Sequence, residues 1–198
     1  MVFAKERPAM THVAIVYSST YGHTSKQAEA VAEGAMESSE VSVWHLPEDG
    51  SMPDGIWDDL AGADAIVFGG PTYMGGPPWQ FKKFADATSE IWVNRNWQDK
   101  LAGGFTTSAT VNGDKGECMS YFITLANQHG MLWVSLGQAS PNAKEHGPKD
   151  MNWTGGNGGA MAIAPSDATP AEAPGVGDLA SARAYGARIA VLAARFAG

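Results

Sequence analysis

The chain predicts an α/β protein built on a doubly wound parallel sheet of five strands with helices on both faces. Three observations carry that expectation. Short runs rich in β-branched and aliphatic residues recur five times, and the first, Val13 to Val16, is unbroken, as expected of a strand covered on both faces. Between them lie stretches whose apolar residues return every three or four positions, the spacing of a helix with one buried stripe. The joints are rich in Gly, Pro, Ser and Thr, so strands and helices alternate as right-handed βαβ units.

Taken in order, residues 1–11 (MVFAKERPAMT) read as a flexible N-terminal tail and residues 12–198 as one domain. Val13 to Val16 form the first strand. The loop that follows, Ser18 to Ser25, has no aliphatic residue, and Ala28, Val31, Ala32 and Ala35 then mark a helix. Thr24 and Gln27 are spaced as a capping box at its start. Val41, Val43 and Leu46 give a second strand closed by Pro47, and Ile56, Trp57 and Leu60 give helical turns over 55–61. Ala65 to Phe68 form a third strand ending in Gly69-Gly70.

Pro71, Gly75, Gly76, Pro77 and Pro78 then impose a loop, with Pro78 suited to a first helical position. Phe81, Phe84, Thr88 and Ile91 line one face of the following helix. Leu101 to Phe105 are the fourth strand, and Asp114 with Glu117 is placed to cap a helix that buries Met119, Phe122, Ile123 and Ala126. Met131 to Leu136 are the fifth strand. Residues 137–177 break the rhythm and read as a long loop, a kind that is usually functional or interfacial. Asp178 opens a last helix with Ala182, Tyr185, Ile189, Leu192 and Phe196 as its stripe.

Composition narrows the function. The net charge of -8 and the lack of a Lys/Arg cluster argue against nucleic-acid binding. Cys118 is the single cysteine, which fits a reducing, cytoplasmic setting. No run of 18 apolar residues is present to span a membrane. The five His are scattered, without HExxH spacing, so no metal site is expected.

What remains is anion chemistry. A helix N-terminus offers unpaired N–H groups and a positive dipole end, here ringed by Ser18, Ser19, Thr20, Thr24 and Ser25. The loop has neither the lysine of a G-x-x-x-x-G-K-[ST] loop nor the glycines of G-x-G-x-x-G, so a single terminal phosphate suits it best. In open parallel sheets, ligands sit beyond the strand carboxyl ends at the switch point of strand order. Three loops leave from such ends: 18–24, 70–77 and 106–113. The last two combine Gly and small polar residues with Tyr73 and Met74, so backbone can approach a flat ring. The expected ligand is phosphorylated, planar and partly apolar, which FMN satisfies.

The loops SSTYGHT, GGPTYMGG and FTTSATVNG, followed by ANQHGM, resemble those of flavodoxin-like NAD(P)H:quinone oxidoreductases and NAD(P)H-dependent FMN reductases of the WrbA type. The resemblance runs from about residue 12 to the C-terminus. It implies a flavodoxin-like sheet of order 2-1-3-4-5 and transfer of two electrons from NADH or NADPH, through FMN, to a quinone or free flavin. Ser19, Thr20, Tyr21, Gly22, His23 and Thr24 would hold the phosphate. Pro71, Thr72, Tyr73, Met74 and Gly75 would line the ring. Thr107, Ser108, Ala109, Thr110, Val111, Asn112 and Gly113 would wrap its pyrimidine side and the ribityl chain. Tyr73 and His129 are the implied catalytic residues, His129 reaching the ring from a neighbouring subunit of a homodimer or homotetramer. Tyr21, Trp92 and Trp153 would border the NAD(P)H or acceptor site. A flavodoxin-type electron carrier without NAD(P)H turnover is the alternative. A phosphoacceptor domain on a similar fold is disfavoured, because the third strand ends in Gly-Gly-Pro without an aspartate.

Overall fold

The computed structural model describes residues 10–197. Residues 1–9 of the expected tail lie outside the described residues, whereas Thr11 is buried and pairs its Oγ1 with Ser39 Oγ at 2.8 Å. Strands β1 (His12–Ser18), β2 (Glu40–Leu46), β3 (Ala65–Pro71) and β4 (Leu101–Ser108) run parallel, with β5 (Leu132–Trp133) beyond β4. The order is β2-β1-β3-β4-β5, as expected from the sequence.

Alternation along the central strands divides the core in two. Val13, Ile15 and Val67 face α1 (His23–Ala35) and α6 (Val176–Phe196), meeting Ala28, Val31, Tyr185 and Ile189. Ala14, Val16, Ile66 and Phe68 face the other layer: α2 (Ile56–Gly62), α3 (Trp79–Ala87), α4 (Ser89–Val93) and α5 (Lys115–Gln128). The central strands β1 and β3 are buried along nearly their whole length because both faces are covered, whereas the edge strand β2 is mostly exposed or half-buried. On the first face, α1 and α6 approach at two glycines. A Cβ on Gly186 would lie 1.9 Å from the Val31 carbonyl oxygen, and one on Gly34 would lie 1.8 Å from that of Arg183.

Several boundaries differ from expectation. The helix read through Thr88 is two helices, because Thr88 Oγ1 donates to the Ala85 carbonyl at 2.7 Å and the chain re-forms from Ser89. Pro78 stands just before α3 and not inside it. No side chain caps α1 or α5, and both capping boxes are overturned: Gly22 (φ 86°) and Asp114 (φ 52°) enter their helices in the left-handed region. Thr24 lies within the first turn of α1 with its hydroxyl turned elsewhere. Phe196, at the end of the α6 stripe, is exposed.

The largest departure is the fifth strand. Only Leu132 and Trp133 pair with β4, at Leu101 and Ala102. The chain then leaves, and β6 (Ala160–Ile163), inside the segment read as a loop, returns to the same edge to pair with Phe105 to Ser108. Between the two pieces, the Tyr185 hydroxyl stands in for strand backbone: it donates to the Val134 carbonyl at 2.5 Å and accepts from the Gly104 N–H at 3.3 Å. Gly103 makes the room, since a Cβ there would lie 2.8 Å from that hydroxyl.

Candidate functional site

The carboxyl ends of β1, β3, β4 and β6 open into a cavity of about 330 Å³. Ser19, Thr20, Tyr21, His23 and Thr24 form one wall, Pro71, Thr72 and Tyr73 a second, and Thr107, Ser108 and Ala109 a third. Ala164 and Ser166, just past β6, complete the lining. The sequence reading missed both, because a four-residue strand between Gly158-Gly159 and Ala164-Pro165 gives too little alternation to be recognised. Among the lining residues there is no Lys or Arg.

The first wall is a tight turn into α1. Gly22 takes a conformation that residues with a Cβ rarely adopt, and a Cβ there would also meet Pro170 Cγ at 2.8 Å. Ser19 Oγ accepts long hydrogen bonds from the N–H groups of Gly22 (3.2 Å) and Ser25 (3.3 Å). His45, at the end of β2, steadies the turn by donating from Nε2 to the Ser19 carbonyl at 3.2 Å, with its ring stacked on Tyr17. His23 donates from Nε2 to the Ala168 carbonyl at 2.9 Å, tying α1 to the segment after β6. Gly22 itself provides no side-chain cap, and apart from the long bond from Ser25 to Ser19 the first turn's amides and dipole face an anion site.

Paired hydroxyls join the walls. Thr24 Oγ1 and Thr107 Oγ1 lie 2.6 Å apart, and Thr72 Oγ1 and Thr106 Oγ1 lie 2.8 Å apart. Beneath them burial pushes the Cys118 thiol up to about 11, so it stays protonated and inert at neutral pH. Residues 73–76 form a miniature hairpin in which Tyr73 and Gly76 exchange backbone bonds of 2.8 and 3.1 Å. Its tip, Met74 (φ 49°) and Gly75 (φ 77°), has positive φ at both central positions, as a type I′ turn requires. Tyr73 therefore reaches the cavity rim, while Met74 and Gly75 project past it, Met74 fully exposed.

Thr110 to Gly113 continue the third wall without lining the cavity, and Lys115 holds them from behind. Its side chain is 1% exposed. Nζ donates to Ser108 Oγ (2.7 Å) and to the carbonyls of Thr110 and Val111 (both 2.8 Å). Burial brings its pKa down to about 8, opposed by the charge of Asp178. Nothing in the local pattern VNGDKG distinguishes this lysine from a solvated one.

The remaining expected residues lie apart. His129 and Trp92 line a second cavity, of about 350 Å³, on the α3, α4 and α5 side. Thr88 gives its proton to Ala85, so it accepts from His129 Nε2–H at 2.9 Å, which leaves Nδ1 buried and without a partner. Burial holds this imidazole below the usual histidine range, hence neutral at pH 7. Within one chain, His129 and Trp92 are not brought to the hydroxyl-lined cavity, and Trp153 lines neither cavity.

The sequence matches the family described as NADPH-dependent FMN reductase over residues 10–145. The chain belongs to that family. It is 48% identical over 181 residues to Flavodoxin FldP of Pseudomonas aeruginosa (strain UCBPP-PA14), covering 91% of this chain and 96% of that protein. It is 36% identical over 208 residues to an NAD(P)H dehydrogenase (quinone) of Geobacter sulfurreducens, covering 94% of this chain and all of that protein. Among solved structures, a flavodoxin, WrbA-like protein from Agrobacterium tumefaciens superposes with a TM-score of 0.75 at 44% identity, covering 93% and 98% of the two chains. The family match includes the first three walls of the cavity. The fourth, Ala164 and Ser166, falls beyond residue 145. No helix among the described residues is long and apolar enough to cross a membrane.

Proposed function

We propose that this member of the FMN reductase family binds FMN in the hydroxyl-lined cavity and is an NAD(P)H-dependent oxidoreductase whose acceptor is a quinone or free flavin. The observation that carries the reading is the uncapped N-terminus of α1, opening into a cavity rich in Ser and Thr and without a basic side chain. That donor set fits a phosphate monoester held by amides and hydroxyls. Ser19, Thr20 and Thr24 are the chain's phosphate donors, Thr72 and Tyr73 border the ring, and the amides of 107–113 are its donors toward the pyrimidine edge, where they would stabilise negative charge.

When bound, FMN would supply two-electron redox chemistry between NAD(P)H and the acceptor. The protein's part is orientation, which turns an encounter into a positioned reaction. Neutral, buried His129 is a hydrogen-bonding residue in this reading and not a general acid. In this reading a second copy brings the face that carries His129 and Trp92 toward the ring, while Ala164 and Ser166 of the long segment serve the cavity of their own chain. An active monomer in light scattering would overturn the assembly.

Two experiments test the reading. Thr20 is exposed, so Thr20→Glu should fold normally yet lose FMN through phosphate repulsion. Unchanged FMN affinity in that variant would remove the phosphate-loop assignment. The FMN-loaded protein, mixed anaerobically with NADH or NADPH, should then bleach in the visible flavin band. The name of the 48% identical relative favours a second reading, a flavodoxin-type electron carrier, in which FMN binds but stays oxidised with both nucleotides.

A further inference from the structure

We propose that Lys115 is a positioning residue of the cofactor loop, placing a positive charge one hydrogen bond behind the cavity wall so that anionic FMN is held by charge as well as by hydroxyls. This rests on the FMN reading above. A lysine is rarely buried unless its ammonium is fully engaged, and here all three N–H donors are used: Ser108 Oγ, Thr110 O and Val111 O, at 2.7 to 2.8 Å. Ser108 in turn donates to the Thr110 carbonyl at 3.0 Å, so one ammonium organises the loop from 108 to 111. Ser108 also lines the cavity, which sets the charge directly behind a surface that otherwise offers the ligand no Lys or Arg.

The charged groups around Lys115 are few. From α6, Asp178 acts on it, itself buried and accepting the Ile163 N–H at 2.8 Å. On its own helix stand Asp114 at the entry and Glu117 one turn on. Burial pulls Lys115 down to about 8 while Asp178 pushes it up, so its proton is lost just above neutrality. A bound anion favours the protonated form. The pKa with FMN bound therefore lies above about 8, and FMN affinity is complete below that value and falls as pH rises through the bound-state pKa. Opposite charges some 8–10 Å apart in a protein environment give an effect on the order of tenfold per charge.

The test is FMN affinity by fluorescence titration between pH 7 and 9.5. Wild type should weaken by about tenfold across that range. Lys115→Met should be weaker by about the same factor at pH 7 and flat thereafter, and Lys115→Gln, which keeps polar contact with the loop, should be equally flat. Asp178→Asn retains an acceptor for Ile163 but removes the supporting charge, so the fall should begin at lower pH. A two-electron reduction potential offers a second readout, since a tenfold preference for the more negative, reduced cofactor is about 30 mV, lost in Lys115→Met. Should Lys115→Met fail to fold, the Lys115→Gln profile and the Asp178→Asn shift decide the matter. Wild type that binds FMN with no dependence on pH, or a neutral variant that keeps the wild-type affinity and profile, overturns the role of Lys115 and leaves the FMN reading standing. Wild type that binds no FMN at any pH overturns both.

Discussion

Tyr185→Phe isolates what the break in the fifth strand demands. The phenol ring is fully buried between α6 and the sheet, and its hydroxyl bridges Val134 and Gly104 where neither β5 nor β6 reaches β4. Phenylalanine preserves the ring packing and removes only the bridge. The Val134 carbonyl then loses a short, well-formed bond, and the Gly104 N–H a long one. A buried polar group left without a partner costs about 1–3 kcal/mol, and the 3.3 Å bond belongs at the low end of that range. The expected loss is thus about 2–3 kcal/mol, which for a chain of this size lowers Tm by roughly 5–10 °C. Urea unfolding followed by circular dichroism at pH 7 measures it directly, and the midpoint should fall without a change in slope. A loss below about 0.5 kcal/mol would mean that the hydroxyl is not replacing strand hydrogen bonds, and the account of the interrupted edge would fail.

Other outcomes follow from the same geometry. Gly186→Ala forces a methyl against the Val31 carbonyl oxygen, so α1 and α6 must separate; it should destabilise by about 2 kcal/mol or more despite alanine's higher helix propensity, and a stabilised variant in thermal melting would contradict the contact. Gly22→Ala meets both the left-handed backbone and Pro170, and should cost about 1–2 kcal/mol and weaken FMN retention together; a loss of neither, in melting and titration, would show that the turn is not needed. The pH dependence of stability follows from Lys115. Between about 8, its folded value, and the ordinary 10.5, the unfolded chain holds a proton on this lysine that the folded chain has released, so its contribution to stability rises with pH, opposed above about 9 by the buried Cys118 thiol, which keeps its proton in the folded chain. The slope from this one group is at most about 1.4 kcal/mol per pH unit, and Lys115→Met should remove that share in denaturation series from pH 7.5 to 9, below the range where the Cys118 thiol acts.

How much of this was legible beforehand depended on whether neighbours or distant partners set the structure. Strands β1, β3 and β4 are written in uninterrupted apolar runs because both faces are buried, and the strand order followed from the resemblance their loops carry. All three expected ligand loops do meet at one cavity, since a parallel sheet delivers every strand's carboxyl end to the same edge. The helix starts were misread: Thr24 fits a capping box in sequence, but its hydroxyl meets Thr107 across the cavity, an interaction between residues 83 apart in the chain. Thr88 carries no helix-breaking signal of its own, and its bond back to Ala85 emerges only with burial. Lys115 is invisible for the same reason, since its environment is made by a loop folding over it and by Asp178 arriving from the last helix.

The two-piece fifth strand also bears on the order in which the chain can assemble. β5 follows α5 closely and pairs with β4 after a short excursion, so that half of the edge closes locally. β6 occupies the other half only after the chain has travelled out and come back, a longer loop whose closure costs more entropy and whose contacts raise contact order. The central sheet can therefore be in place while the fourth wall of the cavity is still absent. Because α6, which covers one face of the sheet, follows β6 in the chain, the last wall of the cavity and the last layer of the core are both completed late, by the same stretch of chain.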